Sequence, residues 1–107
     1  MSKFFADRET GFEAEFKRNQ ELAFKVAARR NRLFGLWAAA RFGITGSAAE
    51  AYAVEVVEAD FEAPGDADVI SKVLSDFKAR GIAVTDLELR SELERAATDA
   101  RQQLASR

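Results

Sequence analysis

A single proline, Pro64, interrupts this chain of 107 residues, and the other strong breakers fall in three short stretches. "GITGS" (residues 43–47), "PGD" (64–66) and "RGIAVTD" (80–86) cut the sequence into pieces of helical length. The spacing predicts helices over about 12–42, 48–62, 67–80 and 86–105. Ser47 with Glu50, and Thr85 with Glu88, have the spacing of capping boxes, in which each side chain satisfies a backbone donor of the first turn. Asp66 suits a third N-cap, and Gly81 suits the left-handed residue that closes a helix.

Apolar periodicity agrees with these bounds. In the third piece Val69, Ile70, Val73, Leu74 and Phe77 share one arc, with Lys72, Ser75 and Lys78 elsewhere. In the fourth, Leu89, Leu93, Ala96, Ala97, Ala100 and Leu104 repeat the pattern with smaller residues. The second piece turns Tyr52, Ala53, Val56 and Val57 inward and Glu55, Glu58 and Glu62 toward water, with Phe61 near its end. No segment alternates long enough to form a strand. Short connections favour antiparallel neighbours, so the expected fold is all-α: a four-helix bundle with a long first helix and a flexible or frayed N-terminal extension. The expected organisation is an N-terminal segment over residues 1–20 and a bundle over 21–107.

Composition closes several routes to function. Histidine and cysteine are absent, which removes imidazole and thiolate metal sites, Ser-His-Asp and Cys-His nucleophile systems, and a histidine general base. No phosphate-binding glycine loop of either common type occurs. The reading is of a protein that is not an enzyme and carries neither metal nor cofactor. With 16 basic and 18 acidic residues, the net charge of −2 argues against a nucleic-acid binder. The start lacks the apolar core of a signal peptide, and no run is long enough to span a bilayer, so a cytoplasmic protein without membrane insertion is expected.

The stretch "ARRNRLFGLWAAARFG" (28–43) mixes arginines with aromatic and small residues. At roughly 100° per residue, Leu22, Val26, Leu33, Leu36, Trp37 and Ala40 share a face, which predicts a core stripe anchored by a largely buried Trp37. Residues 22–49 hold five basic residues and no acidic one, while residues 50–68 hold seven acidic and no basic. The first two helices are therefore expected to face each other with complementary charge. Arg29 projects among Leu22, Leu33 and Leu36, and Asp60 among Tyr52, Ala53 and Val56. An isolated charge on an apolar face needs a partner, so an Arg29–Asp60 ion pair is expected to fix the register. The functional alternative is a ligand carboxylate or phosphate held by Arg29 and Arg30, or a nucleotide held by the basic first helix.

Residues 4–17, "FFADRETGFEAEFK", do not fit the bundle. Phe5, Phe12 and Phe16 share a helical face flanked by Asp7, Arg8, Glu9, Glu13 and Glu15. That face is rotated by roughly 80° from the stripe that begins at Leu22, and polar "KRNQE" (17–21) separates them. Gly11 weakens the segment by about 1 kcal/mol relative to alanine, and a free helix of this length is marginal in water. Two readings stand level on pattern alone: a helix completed by a partner's groove, or a terminus whose phenylalanines cover one end of the bundle.

Four stretches, "FFADRETGFEAEFK", "ARRNRLFGLWAA", "EAYAVEVVEADFE" and "PGDADVISKV", resemble the zeta-subunit inhibitor of the alphaproteobacterial F-type ATP synthase. The likeness covers nearly the whole chain and is weakest in the last helix. Ala6 departs from the family's usual acid, and Phe34 from its frequent leucine. The resemblance implies a regulatory protein that inhibits ATP hydrolysis by the F1 sector. Its N-terminal segment would enter a catalytic α/β subunit interface and approach the rotor γ, blocking rotation, while the body stays outside. Carried over, the partner-binding residues are Phe4, Phe5, Asp7, Arg8, Glu9, Phe12, Glu13, Phe16 and Lys17. Arg29, Leu33, Leu36, Trp37, Tyr52, Val56, Asp60 and Phe61 keep structural roles in the bundle. The isolated protein would be a cytoplasmic monomer, peripheral to the membrane-bound synthase. A helical adaptor for another partner, or a nucleotide-binding bundle, is the alternative.

Overall fold

The computed structural model describes residues 2–62 and 66–105, with side chains described over 17–61 and 66–105. Four helices follow in order: α1 (Ser2–Arg41), α2 (Gly46–Glu62), α3 (Ala67–Ala79) and α4 (Asp86–Ala105). The expected bundle is present, and its breaks fall within two residues of the sequence reading except at the start of α1, which runs unbroken from Ser2.

Local chemistry sets these ends. α1 closes on Gly43, whose φ of 77° is left-handed, with the Ile44 N–H bonded to the Ala39 carbonyl at 2.9 Å. α3 closes in the same way on Gly81, with the Ile82 N–H bonded to the Phe77 carbonyl at 3.0 Å. Both are the paired bonds that satisfy the last carbonyls of a helix when glycine removes the Cβ penalty. The threonine half of the Thr85–Glu88 box forms: the Glu88 N–H donates to Thr85 Oγ1 at 3.1 Å, while the Glu88 carboxylate accepts from the Thr85 hydroxyl. The Ser47–Glu50 box is a correction. α2 already begins at Gly46, and the Glu50 carboxylate accepts from Arg32 of α1 at 2.8 and 3.0 Å.

α1 is the spine, packed against α2 on one side and α4 on another. Toward α2 it offers Gly35, where a Cβ would sit 2.8 Å from the Ala53 Cα and 3.1 Å from Val56 Cγ2. Phe34, Ala38 and Ala39 are buried beside it, as are Val69, Ile70, Val73 and Phe77 of α3 and Leu89 and Leu93 of α4. Phe34 stacks on Trp37 at 5.8 Å between ring centroids, and Phe42 meets Phe77 edge-on at 4.7 Å and Tyr52 at 5.4 Å.

The stripe expected on α1 is corrected by this arrangement. Leu22 is 52% exposed and Ala40 also faces water. Trp37 is only half-buried, closed over by the Arg41 guanidinium at 5.3 Å from its ring, and among the described side chains of α1 the fully buried aromatic is Phe34. A helix held on two sides buries two faces. The face against α2 is made of small residues, which weigh little in a hydrophobic pattern. Leu33 and Trp37 belong to the other face, where they meet Glu92, Ala96 and Asp99 of α4. The stripes read in α3 and α4 stand as expected.

Two stability measurements follow. Gly35→Ala should destabilise the fold by about 1–2 kcal/mol in urea unfolding: overpacking of about 1–3 kcal/mol exceeds the roughly 1 kcal/mol gain in helix propensity, because the neighbour is backbone and cannot rotate away. Phe34→Ala should cost about 3–5 kcal/mol and exceed the cost of Trp37→Ala, which vacates a half-wet site.

Candidate functional site

Of the residues expected to meet a partner, Phe4, Phe5, Asp7, Arg8, Glu9, Phe12, Glu13 and Phe16 have side chains outside the described residues. Their backbone is part of α1. Lys17 is exposed, as is every residue from 17 to 25. At 1.5 Å per residue the 40 residues of α1 span roughly 60 Å, and the molecule is 67 Å long by 27 and 21 Å across. One helix therefore sets the long dimension.

The other helices accompany α1 only part of the way. Phe61, at the end of α2, meets Phe24 with ring centroids 5.7 Å apart. Leu104 and Ala105, at the end of α4, share a groove with Asn19, Leu22, Ala23 and Val26. α3 starts level with Arg30, whose Nη1 donates to Asp66 Oδ1 at 2.9 Å. From Ser2 to Asn19, α1 is thus an arm of 18 residues, roughly 27 Å long, carried beyond the points reached by its companions. Phe61, expected to have a structural role in the bundle, is 62% exposed near the end of α2.

The charges expected to pair do so with a shift of one residue. Arg29 does not meet Asp60; its Nη1 donates to Gln103 Oε1 of α4 at 2.9 Å. Arg30 takes the role. Its guanidinium lies 4.0 Å from Asp60, bonds Asp66, and donates through Nε to the buried Asn31 Oδ1 at 3.0 Å. One residue turns a helix by roughly 100°, so Arg29 faces α4 and Arg30 faces the junction of α2 with α3. The wheel missed this because it placed the apolar face of α1 on the wrong side. Asp66 keeps its N-cap position through its carbonyl, which accepts from the Ile70 N–H at 3.1 Å, while its carboxylate serves Arg30.

A second network ties α2 to α3. The Tyr52 hydroxyl donates to Asp76 Oδ2 at 2.7 Å, and Lys72 Nζ donates to the same oxygen at 3.0 Å. Burial first, then the hydrogen bond to the Asp76 carboxylate, pushes the Tyr52 pKa far up, so the phenol is a neutral donor at any ordinary pH. Leu33, Leu36 and Val56 pack in or against the core, as expected. Among the described residues no group of carboxylates could hold a metal ion, and no helix is long and apolar enough to cross a membrane. On the basic face of α1, where a phosphate ligand was the alternative, Arg29 donates to the neutral Gln103. Arg30 and Arg32 are already engaged by carboxylates.

A family model described as ATPase inhibitor subunit zeta matches residues 1–103. A solved solution NMR structure shares 44% identity with this chain and a TM-score of 0.69, covering 78% of this chain and 94% of that one. No curated protein matches.

A double-mutant cycle tests the corrected register. Arg30 and Asp66 should couple by roughly 0.5–1 kcal/mol in urea unfolding, the range of a partly exposed pair, and Arg29 with Asp60 should show no coupling.

Proposed function

The chain belongs to the ATPase inhibitor subunit zeta family, and from that premise we propose that it inhibits ATP hydrolysis by the F1 sector of ATP synthase, its N-terminal arm entering a catalytic α/β interface near the rotor γ. The observation that carries this reading is the continuity of α1 from Ser2 to Arg41, past the ends of α2 and α4. In this reading residues 1–20 are the inhibitory segment and residues 21–107 the body that presents it.

The physics of a wedge suits such an arm. Residues 4–17 would measure about 21 Å as helix, long enough to fill a cleft between subunits. Helix nucleation is the costly step in a short peptide, and here the arm prolongs a helix whose later turns are packed in the body. Phe5, Phe12 and Phe16 would then supply about 1.5–3 kcal/mol each on full burial. Arg8, Asp7, Glu9, Glu13 and Lys17 would set orientation at the rim, where charges govern encounter more than affinity. Filling the interface prevents its opening, so a conformational step is blocked and the chemistry of ATP is left alone. The family points to a regulatory subunit rather than a catalyst, and to ATP synthase as its partner.

The test is hydrolysis by purified F1 titrated with the protein. Deleting residues 1–17 should abolish inhibition while the body's thermal midpoint stays within a few degrees, since the described side chains from 17 to 25 are exposed and the buried core begins later in α1. Phe12→Ser with Phe16→Ser should do the same. A truncated protein that inhibits as well as the intact one would place the inhibitory surface on the body.

A further inference from the structure

Five large apolar side chains stand exposed among the described residues, and three of them, Leu22, Phe24 and Phe61, gather where α1 leaves the body. Their exposures are 52%, 57% and 62%. Leu22 and Phe24 line one groove with Lys25 and Arg29, and Phe61 lies against Phe24. An apolar cluster left open beside cations has the composition of an interface core with a charged rim.

From Leu22 onward α1 is basic, while Glu21 precedes the collar and Glu58 lies one turn before Phe61 on α2. Lys25 and Arg29 form no ion pair with a carboxylate among the described residues, and the side-chain partner of Arg29 is the neutral Gln103. Residues 22–49 contain no acid at all.

We infer that this collar, Leu22, Phe24 and Phe61 with Lys25 and Arg29, is a second docking surface, which receives an acidic helix with an apolar face on the outside of the inhibited ATPase, beside the cleft. The inference rests on the function proposed above and adds a contact outside the arm. Continuity of α1 fixes where that contact falls. Phe24 follows Phe16 by eight residues on an unbroken helix, roughly 12 Å along its axis. A partner that encloses the arm up to Phe16 therefore presents its outer surface about two helical turns from the collar. α2 brings Phe61 to the same level, which doubles the apolar contact. Helix-in-groove recognition uses such anchors for affinity and flanking charge for orientation.

The experiment is titration of F1 hydrolysis with full-length variants at low and at moderate ionic strength, with thermal midpoints recorded for each. Phe24→Ser with Phe61→Ser should raise the half-inhibitory concentration about tenfold or more, yet still reach full inhibition at saturation, because the arm is intact. Lys25→Glu should weaken inhibition several-fold at low salt and flatten its salt dependence. Lys78→Glu, on α3, is the control and should change neither. A folded double-serine variant that inhibits at the wild-type concentration overturns the inference, as does a Lys78→Glu effect equal to that of Lys25→Glu, which would mean diffuse attraction. If the serine variant does not fold, Lys25→Glu with its salt profile decides alone. A wild-type protein that fails to inhibit at all sinks the proposed function and the collar with it; a wild type sensitive to Phe12→Ser and Phe16→Ser but indifferent to the collar sinks only the collar.

Discussion

The contact on which the bundle depends is the one made by a missing side chain. Gly35 of α1 faces Ala53 of α2 so closely that a methyl group would lie 2.8 Å from the opposing Cα. Two helices meeting at a glycine and an alanine approach more nearly than a pair of leucines would allow, and the neighbouring side chains interlock beside the contact instead of within it. Phe34 is driven into the interior, at 1% exposure, and the aromatic cluster of Phe34, Trp37, Phe42, Tyr52 and Phe77 assembles near the end of α1. Arg41 and Arg80 close that cluster from outside, the latter 4.5 Å from the Phe42 ring centroid. Cation–π contact lets a guanidinium cover an aromatic face without leaving water.

Charge then selects among the ways four short helices could be wound around that contact. α1 is basic and the chain from Glu50 to Asp68 is acidic. Arg32 reaches α2, and Arg30 reaches both the end of α2 and the start of α3. Exposed pairs such as Arg32–Glu50 add little stability. Arg30 differs, because its side chain is 14% exposed and it also satisfies the buried amide of Asn31. Alternative registers would leave that amide and the guanidinium unmatched in the interior, so the cluster works by penalising wrong arrangements. The Tyr52–Asp76–Lys72 network does the same between α2 and α3.

How much of this was legible follows from which signals are local. Helix ends were legible because glycine, threonine and proline act within a few residues: Gly81, the Thr85–Glu88 pair and Pro64 each lay at or next to a boundary. The stripes of α3 and α4 were legible because each of these helices buries one face. α1 was misread because it buries two, and the closer contact belongs to Gly35, Ala38 and Ala39, whose small size carries almost no weight in an apolar pattern. From that one error came the choice of Arg29 over Arg30 and of Trp37 over Phe34. Phe24 and Phe61 could not be paired from sequence, since their meeting depends on how far α2 runs along α1. The clash of phase read for residues 4–17 rested on a stripe beginning at Leu22, which is exposed, and the identity of what completes the segment is not written in it. The family match points to an ATPase as the partner of the chain.

An arm and a collar on one helix would, in the function proposed above, act together in a way that neither does alone. Once the collar is seated, the arm is confined to a small volume around its cleft, and its entry becomes an intramolecular step whose effective concentration is set by the helix. A flexible tether would spread the arm over many positions and lose much of that gain. An unbroken α1 loses little, provided that the distance between collar and arm matches the distance between the two sites on the partner. The same rigidity makes mismatch costly: shortening or lengthening α1 between residues 17 and 22 by one residue would turn the arm by roughly 100° and displace it by about 1.5 Å. The polar stretch "KRNQE", which contributes no core side chain, thereby acquires a role that depends on its length and helicity more than on its composition. In the proposed function it would set the phase between the face that the body packs and the face that the partner receives.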